Sequence, residues 1–154
     1  MKRMSGFASA ADGAAILELA LIAPFLILMA IGIVEIGLYT RVGIEVGNAA
    51  RAGVQYGAQT TAASIDATGI KSAAIADANE VTSLTVTSSI YCTCHKTPGT
   101  HVSSCSPVPV CVTGDHLDNY VSVIAVTTFT PLIAMAGIPS SMTISKTASQ
   151  LISP

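Results

Sequence analysis

Charge is what this chain has least of: only 10% of its 154 residues are Asp, Glu, Lys or Arg, and none falls between Leu19 and Val34. Nine acidic residues outnumber seven basic ones, for a formal net charge of −2. A nucleic-acid partner needs a basic stripe to neutralise phosphates, so this balance excludes one. Catalytic patterns are missing as well. Ser and Thr are abundant, but none sits in a nucleophile elbow and there is no Gly-rich phosphate loop. The chain therefore reads as a non-enzyme, with no cofactor. Cysteine is absent until Cys92, after which Cys92, Cys94, Cys105 and Cys111 crowd into one short window.

The apolar run near the N-terminus gives the first positive signal. Ala14 to Tyr39 makes roughly 39 Å of helix at about 1.5 Å per residue, enough to cross a hydrocarbon core of about 30 Å with some tilt. Pro24 lies inside it and removes one backbone donor, so a kink or local loosening is expected about a turn after Glu18. Ahead of the run is a short polar leader, Met1 to Gly13, carrying Lys2 and Arg3. The positive-inside rule keeps those residues in the cytoplasm and sends the C-terminal part outside. Glu18 stands at the entrance of the run, five residues past Gly13. A carboxylate in hydrocarbon costs a few kcal/mol at least, so an acid at this place is a functional candidate.

Two simpler accounts compete. A cleaved secretory signal would need Ala49-Ala50-Arg51-Ala52 as its cut site, but Glu18 lies inside the would-be apolar core and the run is longer than such cores usually are. A plain signal anchor would leave Gly13 incidental and Glu18 merely interfacial. On that account the protein is an uncut, membrane-tethered extracytoplasmic binding domain.

The run Gly13 to Gly37, GAAILELALIAPFLILMAIGIVEIG, resembles the N-terminal signature of the TadE-like family, pilin-like proteins of the tight-adherence (Flp-type) pilus system. The likeness rests on a Gly-x-x-x-x-Glu entry, on Pro24 within the apolar run, and on a second glutamate, Glu35, near its far end. An aromatic usually adjoins that glutamate, where this chain has Ile36. The segment Tyr120 to Leu132 also resembles the family's late strand, with its apolar-Pro-Leu ending. The resemblance implies a minor pilin or pseudopilin of the inner membrane, cut after Gly13 by a prepilin peptidase, with Ala14 as the new N-terminus. It also implies that Glu18, fifth in the mature chain, pairs with the terminal amine of a neighbouring subunit. The partners implied are that peptidase, other pilin-like subunits, the pilus assembly machinery and membrane lipid, in a role in pilus assembly, adhesion or secretion. The physics fits: an ammonium and a carboxylate are each costly in lipid and less so when paired.

Past Tyr39 the helix is expected to continue to about Gln59, with Arg41, Glu45, Asn48, Gln55 and Gln59 on one face. Opposite lies a stripe of small residues, Gly43, Gly47, Ala50, Val54 and Gly57. It either packs on the chain's own outer domain, the favoured reading, or meets a neighbouring helix. A second helix over Thr60 to Ala78 is expected to break near Gly69. Val81 to Cys94 alternates as a half-buried strand, with Leu84, Val86, Ile90 and Cys92 facing one way. His95 to Asp118, with Pro98, Gly99, Pro107 and Pro109, reads as a long loop; Tyr120 to Thr130 and Met142 to Ala148 read as two more strands. The organisation is thus a leader over 1–13, a transmembrane helix over 14–39 and an extracytoplasmic domain over 40–154, with helices in 40–78 and a sheet and disulfide loop in 81–150. The fold class is α+β, a long helix packed on a three-stranded antiparallel sheet.

Cys92, Cys94 and His95, followed by His101, Cys105 and Cys111, invite a zinc reading. The spacings Cys-x-Cys and Cys-x5-Cys match structural zinc sites poorly, so no metal is expected there. Two disulfides in an oxidising compartment fit better. A bond between Cys92 and Cys94 would close too small a ring, so each reaches Cys105 or Cys111, in either of two pairings. His95, His101 and His116 read as solvated loop residues, with a weak cation site conceivable where Asp115 and Asp118 flank His116.

Overall fold

The computed structural model describes residues 10–95, 105, 111–133, 137 and 139–152, with side chains from Gly13 onward. Its elements are α1 (Ala10–Gly57), α2 (Thr61–Ile65), α3 (Ala67–Asp77), β1 (Thr85–Cys94), β2 (Leu117–Phe129) and β3 (Met142–Leu151). The chain divides into two compact units between Leu38 and Tyr39, and α1 contributes to both.

In the first unit the apolar side chains of α1 have almost no protein around them. Ile16 is 69% exposed and Phe25 67%. An 18-residue window of this helix has a mean hydropathy of 2.6, long and apolar enough to cross a membrane. A helix apolar on all sides without a core of its own is matched to hydrocarbon as its solvent, because all its backbone polar groups bond within the segment. Pro24 lies inside a continuous helical assignment. The carbonyl one turn before it lacks its usual donor.

The second unit is built on a meander in the order β1-β2-β3, antiparallel throughout. Thr85 pairs with Val126 and Cys94 with Leu117 across β1 and β2, while Tyr120 pairs with Leu151 and Phe129 with Met142 across β2 and β3. β-Branched residues, with Tyr91, Tyr120 and Phe129, favour the extended backbone of β1 and β2. Along β2 the odd positions Val121, Val123, Ala125, Thr127 and Phe129 are all buried, the period of two that a sheet with one covered face demands. β1 starts at Thr85, later than expected, and β3 runs to Leu151, further than expected.

Residues 39–57 of α1 lie on that covered face. Val46, Ala49, Ala50, Val54 and Ala58 are at most 5% exposed. Val54 and Ala58 join Ile70 of α3 and Val121 and Val123 of β2 in one apolar cluster. The favoured reading of the small-residue stripe, packing on the chain's own domain, holds at its C-terminal half. Gly53 and Gly57 sit so close to α3 and β2 that a methyl on Gly57 would lie 3.0 Å from Ile70 Cδ1 and 3.1 Å from Val121 Cγ2. Gly43 and Gly47 are outside this tight seam: a methyl on Gly43 would meet nothing within 4 Å, and one on Gly47 only Lys146 Cγ at 3.9 Å. Nearer the middle of α1, Tyr39 meets Phe129 edge to face, with ring centroids 5.5 Å apart. Arg41 bonds Glu45 at 3.1 Å on the exposed face and also reaches Glu80.

The second helical region breaks at Asp66, not at Gly69 as expected. Asp66 leaves the helical region (φ −81°, ψ 78°), ends α2 and caps α3, its carboxylate accepting from the Gly69 N–H at 2.9 Å. Tyr56 Oη donates to the other carboxylate oxygen at 2.8 Å. Gly69 is needed for room: a Cβ there would collide with the Asp66 carboxylate and the Tyr56 ring. Gly69 therefore serves the cap, and the cap makes the break. The same contacts shift both groups. Asp66 is held below its ordinary value, first by the Gly69 N–H and then by the Tyr56 hydroxyl, and Tyr56 is raised by its bond to Asp66 and by that charge.

Candidate functional site

Two places carry chemistry. The first is the start of α1. The helix begins at Ala10, four residues before the expected mature start at Ala14, so the Gly13–Ala14 bond lies within helical backbone. Glycine in a helix interior is about 1 kcal/mol less favourable than alanine, so this turn is the easiest of its neighbourhood to unwind. Packing does not explain the glycine, since a Cβ at 13 would meet nothing within 4 Å; the same openness at Gly32 and Gly37 means that openness alone does not single it out.

Glu18 lies one turn from Ala14 on the same helix face. It is exposed, and among the described residues no side chain pairs with it. Glu35, the second acid of the apolar helix, is only 9% exposed. The two carboxylates therefore have different environments. Glu18 is the one still open to a partner.

The second place is the open end of the β1–β2 pair. Cys92 is bonded to Cys105 and Cys94 to Cys111, with Cα separations of 5.5 and 5.7 Å. Of the two pairings the sequence allowed, the structure selects this one. The sulfurs of Cys94 and Cys111 approach Asp115, but a disulfide offers no thiolate to a metal. Most of the expected loop, His101 and the four Pro and Gly residues included, lies outside the described residues.

At its two ends, however, the strand ladder continues one step past the formal strands: the His95 N–H donates to the His116 carbonyl at 3.0 Å. This sets the two histidines opposite each other, their rings stacked 4.4 Å apart at 21°. His116 and Asp118, two residues apart on one strand, share a face. His95 Nδ1 lies 2.9 Å from Asp118 Oδ2, and His116 Nε2 lies 3.4 Å from Asp118 Oδ1. Both imidazoles are well exposed, as expected, while Asp118 is only 13% exposed. Asp115, considered above with His116 and Asp118, faces elsewhere: its Oδ1 accepts from the backbone N–H of His116 at 2.8 Å. His95 takes its place in the cluster. Sequence reasoning left His95 apart from His116 because a long excursion separates them; the adjacent Cys94 and Cys111, if paired, were the one signal that the ends meet.

Residues 13–55 match the family model described as TadE-like protein. That span begins at Gly13, contains Glu18, Pro24 and Glu35, and ends two residues before Gly57, the last residue of α1. No curated protein and no solved structure matches the chain.

Proposed function

From a helix whose residues 13–55 are TadE-like, we propose that this protein is a pseudopilin or minor pilin of a tight-adherence pilus system, held in the inner membrane by α1. The observation that carries the reading is Glu18, an exposed acid near the start of an apolar helix, without a side-chain partner among the described residues and five residues past the glycine that opens the family match. Cutting after Gly13 leaves an ammonium on Ala14, the charge that a neighbour's Glu18 lacks. Pairing the two between subunits sets an axial register while removing two isolated charges from lipid. The alternative pairing, of Glu18 with its own N-terminus a turn away, gives no register. The basic leader orients the helix with residues 1–13 in the cytoplasm and the sheet outside, where the two disulfides are stable. The role is structural, in assembly or priming of the filament, and its partners are a prepilin peptidase and other pilin-like subunits.

Intact-mass measurement of the membrane fraction, with and without a prepilin peptidase, tests the cut. The expected product lacks residues 1–13. A full-length chain in both samples overturns the reading and leaves a tethered extracytoplasmic domain in its place. Glu18→Ala is expected to leave cleavage largely intact and to abolish incorporation into assemblies. Undiminished assembly would refute the pairing.

A further inference from the structure

Independently of that role, we propose that His95, His116 and Asp118 form a binding site for one divalent transition-metal ion of the kind that favours imidazole, with Zn2+ and Cu2+ as its best members. The donor atoms already have the spacing such an ion imposes. Metal–nitrogen bonds of about 2.0–2.1 Å place neighbouring tetrahedral ligands roughly 3.4 Å apart. Here His95 Nδ1 lies 2.9 Å from Asp118 Oδ2 and His116 Nε2 lies 3.4 Å from Oδ1, the other oxygen of the same carboxylate. The candidate ligand atoms of the three residues all fall within 4.8 Å of one another. Two imidazoles and one carboxylate form a mixed nitrogen–oxygen set, suited to Zn2+, Cu2+ or Ni2+ and poorly suited to Mg2+ or Ca2+, which prefer several oxygens. Three protein donors leave one position of a tetrahedral ion for water.

The site is also rigidly built. Asp118 sits within β2, opposite Thr93, and His116 comes two residues before it on the same face. His95 is tied across to His116 by a backbone hydrogen bond. The Cys94–Cys111 bond joins the residue next to His95 to the chain that returns to His116. The backbone entropy of bringing His95 and His116 together is therefore already spent in folding and oxidation, and only the exposed rings must turn from their stack to share one ion. Without an ion, His95 Nδ1 is hydrogen-bonded to Asp118 Oδ2; with one bound, that nitrogen and His116 Nε2 turn lone pairs to the metal, and each imidazole carries its proton on its other nitrogen.

Calorimetric titration of the full chain, oxidised and in detergent, with ZnCl2 and separately with MgCl2 tests this. The expected result is one Zn2+ bound per chain and no saturable Mg2+ binding. His95→Gln and His116→Gln should each weaken Zn2+ at least ~10-fold, the scale on which disturbing even the outer contacts of metal sites acts. Histidine-ring 15N spectra of the unaltered chain, assigned with those two variants, should show both rings shifting on Zn2+ addition, a readout that does not depend on how a variant folds. Absence of a saturable one-to-one Zn2+ isotherm would overturn the proposal. So would unshifted rings of His95 and His116, or a Zn2+ affinity in either variant equal to that of the unaltered chain.

Discussion

Adding a single methyl at two glycines of the same helix, Gly47 and Gly57, should move stability in opposite directions. At Gly47 the new methyl finds only Lys146 Cγ at 3.9 Å, an ordinary contact with an exposed, flexible side chain. Gly47→Ala thus collects the helix-propensity difference, about 0.8–1 kcal/mol. At Gly57 the methyl lies 3.0 Å from Ile70 Cδ1, 3.1 Å from Val121 Cγ2 and 3.3 Å from Ile70 Cγ1. Carbon pairs rest at about 3.5–4.0 Å, so three contacts become repulsive at once. Ile70 and Val121 are fully buried and both are β-branched, so neither can rotate away freely. Overpacking of this kind costs about 1–3 kcal/mol, and Gly57, the last residue of α1, gains little propensity to offset it. For a domain of this size 1 kcal/mol shifts Tm by about 4 °C. The expectation is a rise of about 3–4 °C for Gly47→Ala and a fall of about 4–12 °C for Gly57→Ala. Thermal unfolding of the full chain in detergent, followed by near-UV circular dichroism of its tyrosines, reads both. If Gly57→Ala matches or exceeds the unaltered chain, the seam of α1 against α3 and β2 is not packed as described.

The Tyr56–Asp66 contact should give the outer domain a stability plateau with two flanks. Asp66 is held below its ordinary 3.8, so its contribution is present above that value and fades as pH falls below about 4; Tyr56 is raised above 10.0, so its contribution is present below pH 10 and fades above it. The Tm difference between the unaltered chain and a Tyr56→Phe, Asp66→Asn double variant should shrink on both flanks, and a difference constant from pH 3 to 11 would refute this. Peptide mapping without reductant should recover Cys92–Cys105 and Cys94–Cys111, and a Cys92–Cys111 peptide or four free thiols would contradict the fold at that end. Reducing one of these loops should lower stability by about 3 kcal/mol, with less for the second because the loops overlap.

Signals that run along the chain were legible without coordinates. The apolar run from Leu19 to Val34 and the Gly13–Glu18 entry need only local order to be read, and the family match falls on that same helix. Alternation at Val86, Ile90 and Cys92 found the covered face of β1, since a strand's period of two is written in its own residues. The clustering of the cysteines announced disulfides because only proximity was needed. Four other features stayed hidden. Asp66 rather than Gly69 breaks the second helix, because the Tyr56 hydroxyl arrives from a different helix to support the cap. Gly57 is tight and Gly43 open, although both belong to one small-residue stripe, because α3 and β2 approach only one end of it. The choice between two disulfide pairings, and the meeting of His95 with His116, follow from the register of β1 on β2. Composition and period thus determined which segments are helix and strand and which helix is long and apolar enough to cross a membrane, since those preferences act between residues a few positions apart. Register and close approach belonged to the tertiary structure alone, because they are settled by contacts between residues tens of positions apart, whose separation no local pattern encodes.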